Sequence, residues 1–444
     1  MFRDWMFPGY VRVVRPKLKR KRSPTDHGQL IASGAFICAF LGLNTDVTLV
    51  YQLFAFLLCL VIISRIGLRI QKPSVTVSRI LPRYATAGKP FEYQLSVKNT
   101  GSRIESDLTI VDNPKIRAPD REQYRREKEP FEETRNAYDR FIGFHRFVHL
   151  QKLNTGITIK PAKAADIPLK ATVNVTMKAE PLRRGIVQFT STQVLHPDPL
   201  GLNQGVTLFE RPDSIMVLPR RYDISRSFDP GAGRHFQPGG INASWSIGES
   251  DEFVSLRDYR DGDSMRKIHW ASSAKRNKPV VMEFQDEYFV RQALVLDTSN
   301  PRTRVLEESV SVAASFLLAM NNNDSMLDLI YLSEKAEILT SGRGTSSVNE
   351  QLESLATLTH SKLGFEKLSD AVLSHMKLIS GCILVLSDWT EEHQGMIRSL
   401  DSAKIPQQVF IVTEDEPSLV DLPARIHVLP VDQIQQKLLQ LSLV

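Results

Sequence analysis

Two aspartates and two hydroxyl side chains carry the clearest chemistry in this 444-residue chain. Asp297-Thr298-Ser299 follows the apolar run Ala293-Leu-Val-Leu296, and Asp388 comes just after Cys382-Ile-Leu-Val-Leu386. Between them in sequence lies Gly342-Arg-Gly-Thr345. Carboxylate and hydroxyl oxygens are hard donors of the kind Mg²⁺ accepts alongside several waters, so Asp297, Ser299, Thr345 and Asp388 form a candidate metal site. A second reading needs no ion, because a strand-end aspartate in an α/β domain often caps the loop or helix that follows. Arg302, Arg304 and Arg343 would bring opposing charge to a cation there.

A second constellation spans Ser255 to Arg276. Asp261-Gly262-Asp263 marks a tight turn, since glycine tolerates positive φ and aspartate can cap nearby amides. Arg257, Arg260 and Arg266 flank it with guanidinium forks suited to carboxylates. The cluster, closing on Trp270, reads either as an internal clamp that satisfies its own charges or as a docking surface; Arg257, Tyr259, Gly262, Asp263, Arg266 and Trp270 are its candidate residues. His269 reads as packed or hydrogen-bonded rather than as a base.

These residues need a scaffold. From 289 to 444 the pattern alternates strand and helix: strands at 291–297, 326–331, 336–339, 381–387, 407–413 and 425–430, helices near 304–321, 347–359, 367–379 and 391–403, and one more at the end. Strands that are apolar throughout suit a parallel sheet buried on both faces, and the result is a doubly wound, Rossmann-like α/β domain. Ligands in such sheets bind beyond the carboxyl ends of the strands, where Asp297–Pro301 and Ser387–Thr390 fall. Residues 73–216 read instead as short alternating strands, with Phe91, Tyr93, Leu95 and Val97 on one face of a strand and then the same alternation at Val173, Val175 and Met177. That suits a β-sandwich interrupted at 117–140 by a charged, solvated helical or flexible insertion. Residues 217–288 are linker and signature region, and the glycines around His235, Gly231, Gly233, Gly239 and Gly240, belong to the linker.

The segment Arg257-Asp-Tyr-Arg-Asp-Gly-Asp-Ser-Met-Arg-Lys-Ile-His-Trp270 followed by Ser273-Ala-Lys275 resembles the signature of domain-of-unknown-function family 58, with Lys275 where arginine is usual. Arg184-Gly185, Asp198-Pro-Leu-Gly-Leu202 and Val217-Leu-Pro219 are similar to that family's strand and turn landmarks, so the resemblance covers most of the chain. It implies a bacterial protein with two amino-terminal membrane helices, a von Willebrand factor A-like carboxy-terminal domain and a MoxR-type AAA+ ATPase as partner. Asp297-Thr298-Ser299 is in turn similar to the metal-ion-dependent adhesion site of von Willebrand A domains, in degenerate form, because Pro301 stands where the last serine would be.

Charge places the amino-terminal end. Of the net charge of +6, residues 1–83 contribute +10, from 13 Lys/Arg against 3 Asp/Glu, and the rest −4. The basic block 11–22 precedes two almost uncharged runs, Gly28–Leu43 and Val47–Ile63, about 24 and 26 Å long as helices against a hydrocarbon core of about 30 Å. Joined as one helix they would set Asp46 near mid-membrane, at about 3 kcal/mol, so a hairpin at 28–64 turning at Asn44–Asp46 is expected. Arg65, Arg69 and Lys72 flank its far side, so the positive-inside rule puts both ends, and the soluble domains, in the cytoplasm at the inner membrane. A cleaved signal peptide shares the basic-then-apolar layout but not the second run. The block itself could grip lipid headgroups or nucleic acid, and its nearness to the first run favours lipid.

Composition excludes collagen, wholesale disorder and a disulfide miniprotein: 42% of residues are hydrophobic and only 3 are cysteine. Cys38, Cys59 and Cys382 read as small buried hydrophobes. No P-loop, Gly-x-Ser-x-Gly elbow or His-Glu-x-x-His pattern occurs. The expectation is therefore a non-enzymatic, membrane-anchored adaptor or scaffold that docks protein partners and does not bind nucleic acid. The rival is a metal-dependent hydrolase using Asp297 and Asp388, which lacks a clear additional base.

Overall fold

Alternation in the sequence becomes alternation of burial. In a computed structural model, which describes residues 6–11, 22–41, 48–224, 253–284, 290–320, 325–342, 348–414, 423 and 425–441, strand Phe91–Asn99 turns Tyr93, Leu95 and Val97 inward and leaves the residues between them wholly or partly exposed. The chain divides into two compact units, Met1–Arg220 and Arg221–Val444.

The first unit is a two-sheet sandwich carrying helices. One sheet runs, in spatial order, through Val75–Ile80, Phe91–Asn99, Thr172–Pro181 and Ile157–Lys160, all antiparallel. The other runs Arg22–Pro24, Asn203–Leu218, Gly185–Pro197, Thr109–Pro114 and Ala162–Lys163, with Tyr84–Thr86 parallel to the end of Asn203–Leu218. Leu95, Val97 and Met177 from the first sheet meet Ile110, Phe189, Val194 and Ile215 from the second in one continuous core. A buried ion pair crosses between the sheets. Arg79 reaches Asp112 at 2.6 Å, and Tyr93 and Thr192 donate their hydroxyls to the same carboxylate at 2.6 and 2.8 Å. Burial, then the charge of Asp112, pushes the Tyr93 phenol far above its ordinary range.

Two helices lie between strand Arg22–Pro24 and the rest of the sandwich, Asp26–Leu41 and Thr48–Ile70, and they pack on each other, with Gly34 close to Leu57. The second is long and apolar enough to cross a membrane; the first, at 16 residues, is shorter. Their outward surface is apolar, with Leu30, Phe36, Phe40, Leu49 and Phe56 all at least 60% exposed. Cys59, expected to be buried, is exposed on this surface. The expected outer turn Asn44–Asp46 and most of the basic block lie outside the described residues.

The insertion is helical, one of the two expected forms, but it is not wholly solvated. Helices Arg121–Arg126, Ala137–Ile142 and Phe144–Thr155 extend it well past residue 140 and bury Tyr124, Phe147 and Leu150. Charge dominates its composition, yet Arg146 is itself buried, paired with Glu132 at 2.5 Å.

In the second unit the main sheet has the order Ala336–Ser341, Ser325–Leu332, Val290–Leu296, Gly381–Leu386, Gln407–Thr413, Ile426–Pro430. All neighbours are parallel except the first pair. Strand Gly381–Leu386 is buried at every position, as a sheet covered on both faces requires. Val409 and Ile411 face helices Phe365–His375 and Glu391–Ser402, whereas Phe410 packs at a tilt, 4.6 Å between ring centres, against Phe316 of helix Thr303–Ala319, on the other side. The sheet order reverses at Val290–Leu296, whose chain neighbours in space lead away in opposite directions. Such a switch point leaves a crevice at the carboxyl ends of the strands.

Candidate functional site

Asp297 stands at that switch point, one residue beyond Leu296, and it is 1% exposed. Both of its oxygens are engaged. Oδ1 accepts the Ser299 amide at 2.9 Å and the Ser299 hydroxyl at 2.7 Å. Oδ2 accepts the Ser387 amide at 3.1 Å and the Ser387 hydroxyl, and His393 Nε2 faces it at 3.5 Å. Burial by itself would raise the carboxyl, but His393, Ser387 and Ser299 outweigh it and hold the pKa at about 2. A carboxylate so acidic is ionised throughout the physiological range and is a poor proton acceptor.

The serine and the histidine that brace Asp297 escaped the sequence reading. Ser387 directly follows the Gly381–Leu386 strand and joins the two loops across the switch point. His393 is placed by a local motif: Thr390 caps helix Glu391–Ser402, and His393, at its third position, engages the Thr390 hydroxyl through Nδ1 at 2.7 Å. The ring also stacks on Phe365 at 3.8 Å. The spacing Thr-x-x-His, a variant of the capping box, was the available signal.

The remaining candidates are arranged differently. Asp388 is exposed, and its Oδ1 accepts the neighbouring Trp389 amide at 2.7 Å. Thr345 and Arg343 lie outside the described residues. Arg302 and Arg304 point to acidic partners, Glu414 at 3.7 Å and Asp432 at 2.5 Å. Among the described residues no group of three or more His, Cys, Asp or Glu side chains could hold an ion. With Asp297 saturated by protein donors and Asp388 turned to solvent, the described donors suit a carboxylate braced by its own chain rather than the inner shell of a cation.

The 257–270 cluster is built on a hairpin, Phe253–Asp258 with Val280–Phe284. Arg257 grips Asp263 with both guanidinium nitrogens, at 2.6 and 2.7 Å, and the Arg260 amide adds a third bond at 2.8 Å. The hydrogen bond from Arg257, then the one from the Arg260 amide, holds the Asp263 carboxyl down at about 2. Gly262 sits at φ 105° in the turn closed by the Asp263 amide on the Arg260 carbonyl. His269 caps helix Trp270–Arg276 by accepting the Ser272 amide at 3.2 Å. Tyr259 is half-buried, and its amide bonds the Pro279 carbonyl. Arg266 and Trp270 are exposed, Trp270 at 66%, so the cluster satisfies its turn internally while the indole faces outward.

Residues 255–442 match the model of the family described as protein of unknown function DUF58. A stretch of 187 residues is 28% identical to the uncharacterized protein YeaD of Bacillus subtilis (strain 168), covering 41% of this chain and 46% of that one. The chain therefore spans about half the length of the curated relative it matches. Three solved structures are similar over 33% of the chain: a CARDB domain from Pyrococcus furiosus at 14% identity, 90% of its length and TM-score 0.17; a PapD-like domain of human CEP192 at 14%, 86% and 0.18; and a cohesin module from Clostridium perfringens at 8%, 98% and 0.17.

Proposed function

We propose that this chain is a membrane-anchored docking protein without enzymatic activity. Its two apolar helices form a hairpin in the inner membrane with both soluble units in the cytoplasm, and its carboxy-terminal unit is a von Willebrand A-like domain that binds protein partners, in company with a MoxR-type AAA+ ATPase. One observation carries the anchoring. Strand Arg22–Pro24, just before the first helix, is hydrogen-bonded into the sandwich against Asn203–Gly205, and the Thr25 hydroxyl bonds the Leu202 carbonyl at 2.9 Å. A signal peptide leaves the mature fold, whereas cleavage after these helices would remove a strand from the sheet. The exposed apolar surface of the helices supports lipid as their solvent.

The six-stranded order with one antiparallel edge strand supports the von Willebrand A-like reading, and the braced Asp297 favours docking that needs no metal. Family resemblance alone supplies the ATPase. Gentle crosslinking in intact membranes followed by mass spectrometry tests the whole: an AAA+ ATPase is recovered with the chain, equally with and without chelator. A chain found in the soluble fraction, or one whose carboxy-terminal unit is digested by protease added outside intact cells, refutes the anchoring and its orientation.

A further inference from the structure

The helical insertion has a core of its own, and the sequence completes it from far away. Phe7 and Tyr10, on the short helix that includes residues 6–11, are 8% and 6% exposed and belong to a cluster with Tyr124, Phe147 and Leu150 that is separate from the sandwich core. Phe7 contacts the rings of Tyr124 and Phe147 at 5.4 and 5.6 Å, and Tyr10 those of Phe144 and Phe147 at 5.4 and 5.7 Å. The Tyr10 hydroxyl donates to the Ile142 carbonyl at 2.8 Å, at the end of helix Ala137–Ile142. Met6 and Val11 pack at the rim.

Three buried residues contributed by helices of 6 and 12 residues make too small a core to hold those helices together alone. The aromatic side chains from residues 6–11 supply the missing surface, in the manner of an amphipathic helix laid into an apolar groove. We propose that the insertion is a receptor groove for the chain's own amino-terminal helix, and that docking of Phe7 and Tyr10 in cis is what keeps residues 121–155 folded. Order in the insertion then depends on the amino terminus while the sandwich does not. Whatever the insertion presents outward, including Phe131 and Tyr138, which are 82% and 71% exposed, is presented only while the groove is filled.

Hydrogen exchange on the full chain in lipid nanodiscs tests this. In the Phe7→Ala/Tyr10→Ala variant, amides of 121–155 are expected to exchange at least tenfold faster, with strands 91–99 and 172–181 unchanged. A synthetic peptide of residues 1–11, added to the variant, restores protection and a scrambled peptide does not. Tyr10→Phe, which loses the hydroxyl's bonds to the Ile142 carbonyl and the Met6 sulfur but retains the ring, keeps most of it. Unchanged exchange in 121–155, or equal loss of protection in both regions, overturns the proposal, as does a peptide without effect. Benzoylphenylalanine placed at position 10 is expected to crosslink within one chain to the 142–147 region; a crosslinked dimer instead assigns the occupant to a second copy and refutes docking in cis.

Discussion

Asn203 donates its side-chain amide to the Ser64 hydroxyl at 2.6 Å, tying the long apolar helix to the first residue of a sandwich strand. Around that bond the turn Asp198–Leu202 is wedged against both helices. Gly28 lies so close that a Cβ there would stand 1.8 Å from the Leu202 carbonyl oxygen, and one on Gly67 would stand 2.6 Å from Pro199. Gly28 and Gly67 are therefore contact points between the helices and this turn of the sandwich.

Gly28→Ala is expected to destabilise the first unit by about 1–3 kcal/mol, the usual range for overpacking a close contact. Gly34→Ala, whose Cβ would meet Leu57 at an ordinary 3.6 Å, is expected to be neutral. Thermal unfolding of the detergent-solubilised chain separates them, and equal midpoints for the two variants would sink the account.

Asp112→Ala leaves Arg79 buried without its carboxylate, a loss of about 3–5 kcal/mol. Replacing Arg79 and Asp112 together with apolar residues of similar volume is expected to cost much less. Urea denaturation of Asp112→Ala, Arg79→Ala and the double variant reads this directly, and an additive double variant would contradict it.

Asp297 makes the second unit acid-sensitive. Its folded pKa of about 2 lies below the ordinary aspartate value, so its contribution is complete above about pH 4 and is lost as pH falls toward 2. The size is about 2 kcal/mol. Asp328, where burial raises the carboxyl but bonds from Arg291, Thr340 and His375 bring it down overall, acts in the same direction. Asp297→Asn should thus remove part of the acid limb of a stability profile and leave the rest; a profile unchanged in shape refutes the assignment.

Gly262→Ala forces a side chain into positive φ and should cost about 1 kcal/mol, opening the Arg257–Asp263 clamp. Faster amide exchange over 253–284, with the main sheet unaffected, is the expected signature.

Much of this was legible in the sequence because it is written locally. Phe91, Tyr93, Leu95 and Val97 declare their strand by alternation, and the runs 293–296 and Gly381–Leu386 declare a doubly covered sheet by carrying no polar side chain. Asp297 was recognisable from its place at a strand end, and Arg257 and Asp263 from their positions about a glycine turn. What stayed hidden depends on distant partners. Phe7 meets Phe147, 140 positions away, and strand Arg22–Pro24 finds Gly205 across 180 residues, so no periodicity within either segment announces the contact. His393 was hidden for another reason: it occupies a capping position where glutamate or glutamine is the familiar sign.

The wedge at Asp198–Leu202 also fixes how motion travels. Strand pairing at Arg22–Pro24 on one side and the Ser64–Asn203 bond on the other hold the junction to the sheet from two directions. Thr48–Ile70 is a helix of about 34 Å, and if it spans a bilayer as proposed, a tilt of about 10° imposed on its far end by a thinner membrane would displace that end by about 6 Å relative to the sandwich unless the sandwich turns with it. Under that proposal, bilayer thickness becomes a mechanical input to the attitude of the first soluble unit.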